Sequence, residues 1–233
     1  FEASSSLSRN TTIAWGVSAD ESIYHGVADF PGDSEATAAS GVIIFNEDYD
    51  ADGGEVEPGS YFYLTYIHEL GHALGLAHPH NGGEAGWNSY ESALFPGVSE
   101  GADSSAGEFE NNSTPWTVMT YNDFASYLMV NDASGQLDYV SPGEESFDGY
   151  LENLGPLDIA AVQYLYGPNH QSNAGDTVYA LNEYELNGYR SIWDASGNDT
   201  IDAFDSSSSV VIDLRNATLK NEIGGGGFLS KIN

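Results

Sequence analysis

The sequence predicts an α+β fold in two parts, from three observations. Two segments rich in β-branched and aromatic residues, Thr11 to Val17 and Gly41 to Phe45, read as strands ahead of a proline-free helical stretch, Tyr61 to Leu74. A second helical pattern runs from Pro156 to Gly167. Beyond it come short strand-like runs, Thr177 to Leu181 and Ser209 to Leu214, separated by Asn, Gly and Asp. A boundary near Pro168 follows, with one unit at 1–167 and a β-rich unit at 168–233. At 233 residues the chain can bury one substantial core and part of a second.

Each helix has its own start and stop signals. Pro58-Gly59-Ser60 reads as a turn with Ser60 as N-cap, and Gly75 lies where the first helix should end, because glycine enters the left-handed conformation without a Cβ penalty. Ile67, Leu70, Ala73 and Leu74 can face a core while His68 and His72 face a cleft. In the second helix Pro156 suits the first helical position and Gly167 the C-terminal cap. The segment from Pro79 to Pro115 is long, polar and glycine-rich, and is expected to wrap the lower cleft wall. Asp48-x-Asp50-x-Asp52-Gly53 starts like a calcium loop, but its twelfth position is Gly59 rather than Glu, so a solvated loop is the preferred reading.

The chemistry is concentrated in His68-Glu69-Leu70-Gly71-His72-Ala73-Leu74-Gly75-Leu76-Ala77-His78. His-Glu-x-x-His followed by x-x-Gly-x-x-His arises by chance in a chain this long less than about once in ten thousand. His68 and His72, four apart on a helix, project from one face and fix two corners of a zinc tetrahedron. The turn at Gly75 swings the chain back so that His78 supplies the third nitrogen, which leaves a position for water and a catalytic site. Glu69 is placed to hydrogen-bond that water as general base. His80 competes with His78 for the third position; the spacing after Gly75 favours His78, and His80 is expected to be solvent-exposed. His25 and His170 are isolated and read as surface or packing residues.

Composition excludes other classes. Against 36 acidic residues stand 5 basic ones, a net charge of −31, so there is no basic surface to displace counterions and nucleic-acid binding is not expected. The acid predicts a surface suited to salty water, calcium loading, or both, with weak folding in low salt without calcium. There is no cysteine, hence no disulfide and no thiol chemistry. No apolar run is long enough to span a bilayer, and the first residues show no charged-then-apolar signal pattern. A monomer without nucleic-acid or membrane partners is expected.

Past the third histidine the sequence resembles the metzincins, and within them the serralysin family of secreted zinc endopeptidases. Thr117-Val118-Met119-Thr120-Tyr121 is similar to the methionine turn beneath the zinc of those enzymes, with the tyrosine two after the methionine. Gly155-Pro156-Leu157-Asp158-Ile159-Ala160-Ala161-Val162-Gln163-Tyr164-Leu165-Tyr166-Gly167 resembles the last helix of their catalytic domain, and Ser191 to Thr200 the entry to their calcium-binding β-roll. The resemblance implies a metzincin-type catalytic domain, a twisted mixed sheet with an active-site helix, followed by the start of a β-roll. It implies Tyr121 as a switchable zinc ligand that stabilises the oxyanion, and Met119 as a hydrophobic floor. It implies that the strand Gly41, Val42, Ile43, Ile44, Phe45 lies at the sheet edge and holds extended substrate by strand addition. It also implies a structural calcium bound by carbonyls of Asn173, Gly175, Thr177 and Ser196 and carboxylates of Asp194 and Asp199. The family has a strand and a long helix ahead of the segment that aligns here, and Gly-Gly-x-Gly-x-Asp repeats beyond it. The chain is therefore expected to be a cropped or processed version of a longer protein. The function implied is a secreted, extracellular zinc endopeptidase acting on protein substrate. The alternative from another class is a calcium-dependent binding or surface module on a vestigial protease fold.

Overall fold

Along the chain run β1 (Ala14–Ser18), β2 (Gly26–Ala28), β3 (Val42–Asn46), α1 (Tyr61–Ala73), β4 (Tyr127–Val130), β5 (Leu137–Val140) and β6 (Tyr150–Leu151). They are followed by α2 (Pro156–Tyr166), β7 (Val178–Ala180), β8 (Gly188–Tyr189), β9 (Thr200–Asp202), β10 (Ser209–Ile212) and β11 (Leu229–Ile232). The computed structural model describes residues 13–18, 25–30, 42–46, 56–81, 94–99, 101–114, 116–123, 127–130, 137–140, 149–181, 188–206, 209–212, 214 and 229–232. Thr11, Gly41 and the Asp48 to Gly53 loop lie outside these residues.

Both helices end as their punctuation dictates. Ser60 caps α1, its hydroxyl accepting from Tyr63 N–H at 3.1 Å. At the other end Gly75 takes φ 98°, its N–H donates to His72 O at 2.8 Å, and Leu76 N–H donates to Gly71 O at 2.9 Å. This paired Schellman closure needs a residue that tolerates positive φ. In α2, Pro156 occupies the first turn, and the Asp158 carboxylate caps by accepting from Gly155 N–H at 2.8 Å.

Helix α1 lies between two apolar clusters. On one side Leu70 and Tyr66 pack with Ala73 against Ala28, Ile43 and Phe45 of the sheet. On the other, Leu64 and Leu76 join Val118, Met119 and Leu151, with Ile67 and residues of α2 around them. The larger buried side chains among them, such as Phe45, Leu64, Val118, Met119 and Leu151, each contribute about 1.5–3 kcal/mol by leaving water. The histidines are therefore carried on an element anchored on two sides.

The sheet corrects one expectation. Its order is β1-β3-β2, with β1 parallel and β2 antiparallel to β3. Val42, Ile43, Ile44 and Phe45 thus belong to the central strand, whose backbone is hydrogen-bonded on both sides and cannot add a substrate strand. Among the described residues the edge facing α1 is β2, only three residues long. Nothing in Gly26-Val27-Ala28 alternates enough to announce a strand, so the sequence assigned the edge to its louder neighbour.

The remaining described strands form two-stranded pairs: β4 with β5, β6 with β8, β7 with β9 and β10 with β11. The β6–β8 pair joins chain from either side of residue 167. Asn153 reinforces it, donating through Nδ2 to Ser191 O at 2.8 Å and accepting from Ser191 N–H at 2.9 Å.

Candidate metal centre

The geometry begins with the rings of His68, His72 and His78. His68 Nε2 and His72 Nε2 lie 3.1 and 3.0 Å from His78 Nε2. Among the described residues this is the one group of three side chains able to hold a metal ion. The far nitrogens explain the orientation of the first two. His68 Nδ1 lies 2.6 Å from Val118 O and His72 Nδ1 lies 2.8 Å from Leu76 O, so each Nδ1–H donates to a carbonyl. Each Nε2 then presents a lone pair to the centre.

Lone pairs facing one another at this range repel unless a proton or a metal cation lies among them. Tetrahedral zinc with Zn–N near 2.0–2.1 Å separates its nitrogens by about 3.3 Å, close to what is seen. Burial also keeps the rings neutral: it pushes His68 down to about 4 and His72 to about 3, and drives His78 far below the usual range, with the neighbouring rings adding to the effect. Three neutral imidazoles suit zinc, and the residues fit the group the motif implies.

Glu69 is buried beside the rings, and its Oε2 has no hydrogen-bond partner among the described residues. Burial raises its carboxyl from 4.5 to about 7. Its methylene lies against the edge strand: a Cβ on Gly26 would fall 2.9 Å from Glu69 Cγ and 3.0 Å from the Phe45 ring. A side chain at position 26 would thus displace Glu69 or the Phe45 ring.

Beneath the helix, Met119 is almost fully buried, and a Cβ on Gly71 would meet its Sδ at 2.5 Å. The small residue in the motif lets the methionine floor approach. Tyr121 is half-exposed, with ring centroids 4.7 Å from His78, 5.8 Å from His68 and 4.9 Å from His80. Partial desolvation, reinforced by the Glu69 charge, pushes its phenol up to about 12, so it remains a donor.

Three supports escaped the sequence reading. Asp158 is buried and accepts from Thr117 hydroxyl at 2.5 Å, Val118 N–H at 2.7 Å and Gly155 N–H, tying the methionine turn to α2. Its signal, an acid at the third position of a helix, is common on surfaces and says nothing of a partner 41 residues away. Asn112, fully buried, donates to Ser105 O at 2.7 Å, accepts from Thr120 hydroxyl at 2.9 Å, and its carbonyl accepts from Asn122 at 2.6 Å. The residues flanking Tyr121 are thereby held while its ring stays at the surface. His80, expected in solvent, is only 4% exposed and lies flat on His78 with centroids 5.1 Å apart and planes 8° apart. Ring stacking inside the loop overrides the polar residue's surface preference.

The predicted calcium ligands fall on two loops set side by side by β7 and β9. Asp199 Oδ1 accepts from Thr177 N–H at 3.0 Å, and Asp194 Oδ1 from Ser196 N–H at 3.1 Å. Gly175 O and Asp199 Oδ1 both crowd the space where a Cβ on Gly197 would stand. Asn173 takes φ 50°, and its amide donates to Trp193 O at 3.0 Å. His170 is exposed, and His25 packs edge-on against Tyr61.

A helix bearing His-Glu-x-x-His, closed by a glycine turn onto a third histidine above a buried methionine, defines a metallopeptidase type of site. Comparison with known proteins takes this from class to family. A family model described as Peptidase M66 matches residues 47–141, which include α1, His78 and Met119. Over 218 residues the chain is 31% identical to Serralysin of Proteus mirabilis, covering 81% of this chain and 38% of that protein. It is 30% identical to Metallopeptidase AprA of Pseudomonas marginalis, covering 71% and 32%, and 31% identical to Serralysin B of Dickeya chrysanthemi, covering 69% and 30%. Over most of its own length the chain is similar to these serralysin-type metalloproteases, and it spans about a third of the length of these relatives. No described helix is long and apolar enough to cross a membrane.

Proposed function

We propose that this chain carries the catalytic centre of a secreted, zinc-dependent endopeptidase that hydrolyses extracellular proteins, with a unit at 1–167 for catalysis and a calcium-stabilised β-rich unit from 168. The observation that supports it most is the convergence of His68, His72 and His78 through Nε2, with Glu69, next to His68 in the chain, keeping a buried Oε2 that has no hydrogen-bond partner among the described residues. When bound, zinc acidifies water and polarises the scissile carbonyl.

The chain's own residues do the rest. Glu69, held near neutral by burial, takes the proton of the attacking water and passes it to the leaving amine. Tyr121, protonated and half-exposed, swings to donate a hydrogen bond to the oxyanion. Substrate runs antiparallel along β2, the edge strand whose first residue touches Glu69. Asn173, Gly175, Thr177, Asp194, Ser196 and Asp199 supply oxygen ligands suited to calcium.

Cleavage of casein that is lost on adding a zinc chelator and restored by zinc is the expected result. Chelator-indifferent inactivity, with folding that still responds to calcium, would favour the binding module on a vestigial protease fold.

A further inference from the structure

The three imidazoles are oriented in two different ways. His68 and His72 each have Nδ1 against a backbone carbonyl, and those carbonyls are fixed by the methionine turn and the helix cap. Among the described residues His78 meets no such carbonyl. Its Nδ1 faces the side-chain amide of Asn81, 2.8 Å away at the surface. A turn joins the two residues, Asn81 N–H donating to His78 O at 3.2 Å. On the His78 face lies the buried ring of His80, nearly parallel to it.

The atom of Asn81 facing the ring is Nδ2, and a half-turn about its Cβ–Cγ bond sets Oδ1 in the same place. Ligand chemistry selects between them. A neutral imidazole that gives its Nε2 lone pair to a metal carries its proton on Nδ1, and that N–H needs an acceptor. An amide nitrogen there would set donor against donor.

We propose that Asn81 turns its side-chain oxygen to His78 Nδ1–H and, with the His80 ring stacked behind, positions the third ligand. Metal retention then depends on a surface amide at one vertex and on backbone carbonyls at the other two. This rests on the zinc reading above and assigns its outer support.

The test measures zinc affinity by chelator competition, and zinc release rate, on the purified chain, with melting of the metal-free protein as a fold control. Asn81→Ala should weaken zinc about 10–100-fold and speed its release, while metal-free melting is unchanged. Asn81→Asp, which can only accept, should hold zinc at least as well as the parent. His80→Phe keeps a flat ring and should stay within a few-fold. Parent-like affinity in Asn81→Ala, or Asn81→Asp as weak as Asn81→Ala, would overturn the proposal while leaving the zinc centre standing. An unsubstituted chain that binds no zinc would overturn both.

Discussion

The helix-borne centre and the paired loops of residues 173–177 and 194–199 both collect metal-type donors, but they pre-arrange them differently. At the centre His68 and His72 are buried, His78 is partly buried, and the first two rings are aimed by carbonyls inside the fold. In the loops the donors are mostly exposed, and the carboxylates of Asp194 and Asp199 already accept from backbone N–H groups. A buried site keeps its geometry because packing defines it. An exposed acidic site, in a chain of net charge −31, needs a cation to hold like charges together. Substitutions in the first region should therefore change chemistry, and those in the second should change ion-dependent stability.

The sharpest way to break that contrast is Glu69→Gln. It should lower kcat about 10²–10⁴-fold with bound zinc and melting temperature intact; a variant cleaving casein at the parental rate would remove Glu69 from its role. Next comes Asp158→Ala, which strands the Thr117 hydroxyl and the N–H groups of Val118 and Gly155. It should destabilise the fold by about 3 kcal/mol or more in urea unfolding.

Asp158 also sharpens the contrast through pH. Burial raises its carboxyl from 3.8 to about 6 despite the three hydrogen bonds that oppose the shift. A folded value above the unfolded one means the native state binds the extra proton between them. Its stabilising contribution is full below about 4 and is lost as pH rises through 6. The stability difference between parent and Asp158→Asn should fall over that interval, and a flat difference would contradict the burial argument.

Smaller effects follow. Gly26→Ala displaces the Glu69 methylene and should lower kcat about 10–100-fold with zinc content unchanged. Asp199→Asn should shrink the calcium-induced rise in melting temperature by about 2–4 °C, with activity preserved at saturating calcium. Loss of activity at saturating calcium would make the two regions one functional unit.

What the sequence disclosed were features fixed by local rules. The His68 to His78 spacing, the Ser60 cap, the positive-φ turn at Gly75 and the helix start at Pro156 each depend on neighbours within a few residues. What it withheld depends on chain brought from far away. Gly26 gives no sign that it opens the edge strand, because that role is created by pairing with Phe45 and packing on Glu69. His80 is polar and follows a proline, so only the ring stack reveals it as buried. Asp158 reads as a helix-start acid until Thr117 and Val118 are seen to reach it.

X-ray absorption at the zinc edge, on the purified chain loaded with one equivalent of zinc, tests the central claim most directly. Three imidazole nitrogens at about 2.0–2.1 Å with oxygen completing the shell are predicted, unchanged in Glu69→Gln and reduced to two nitrogens in His78→Ala. An all-oxygen shell, or one indifferent to His78, would contradict the account.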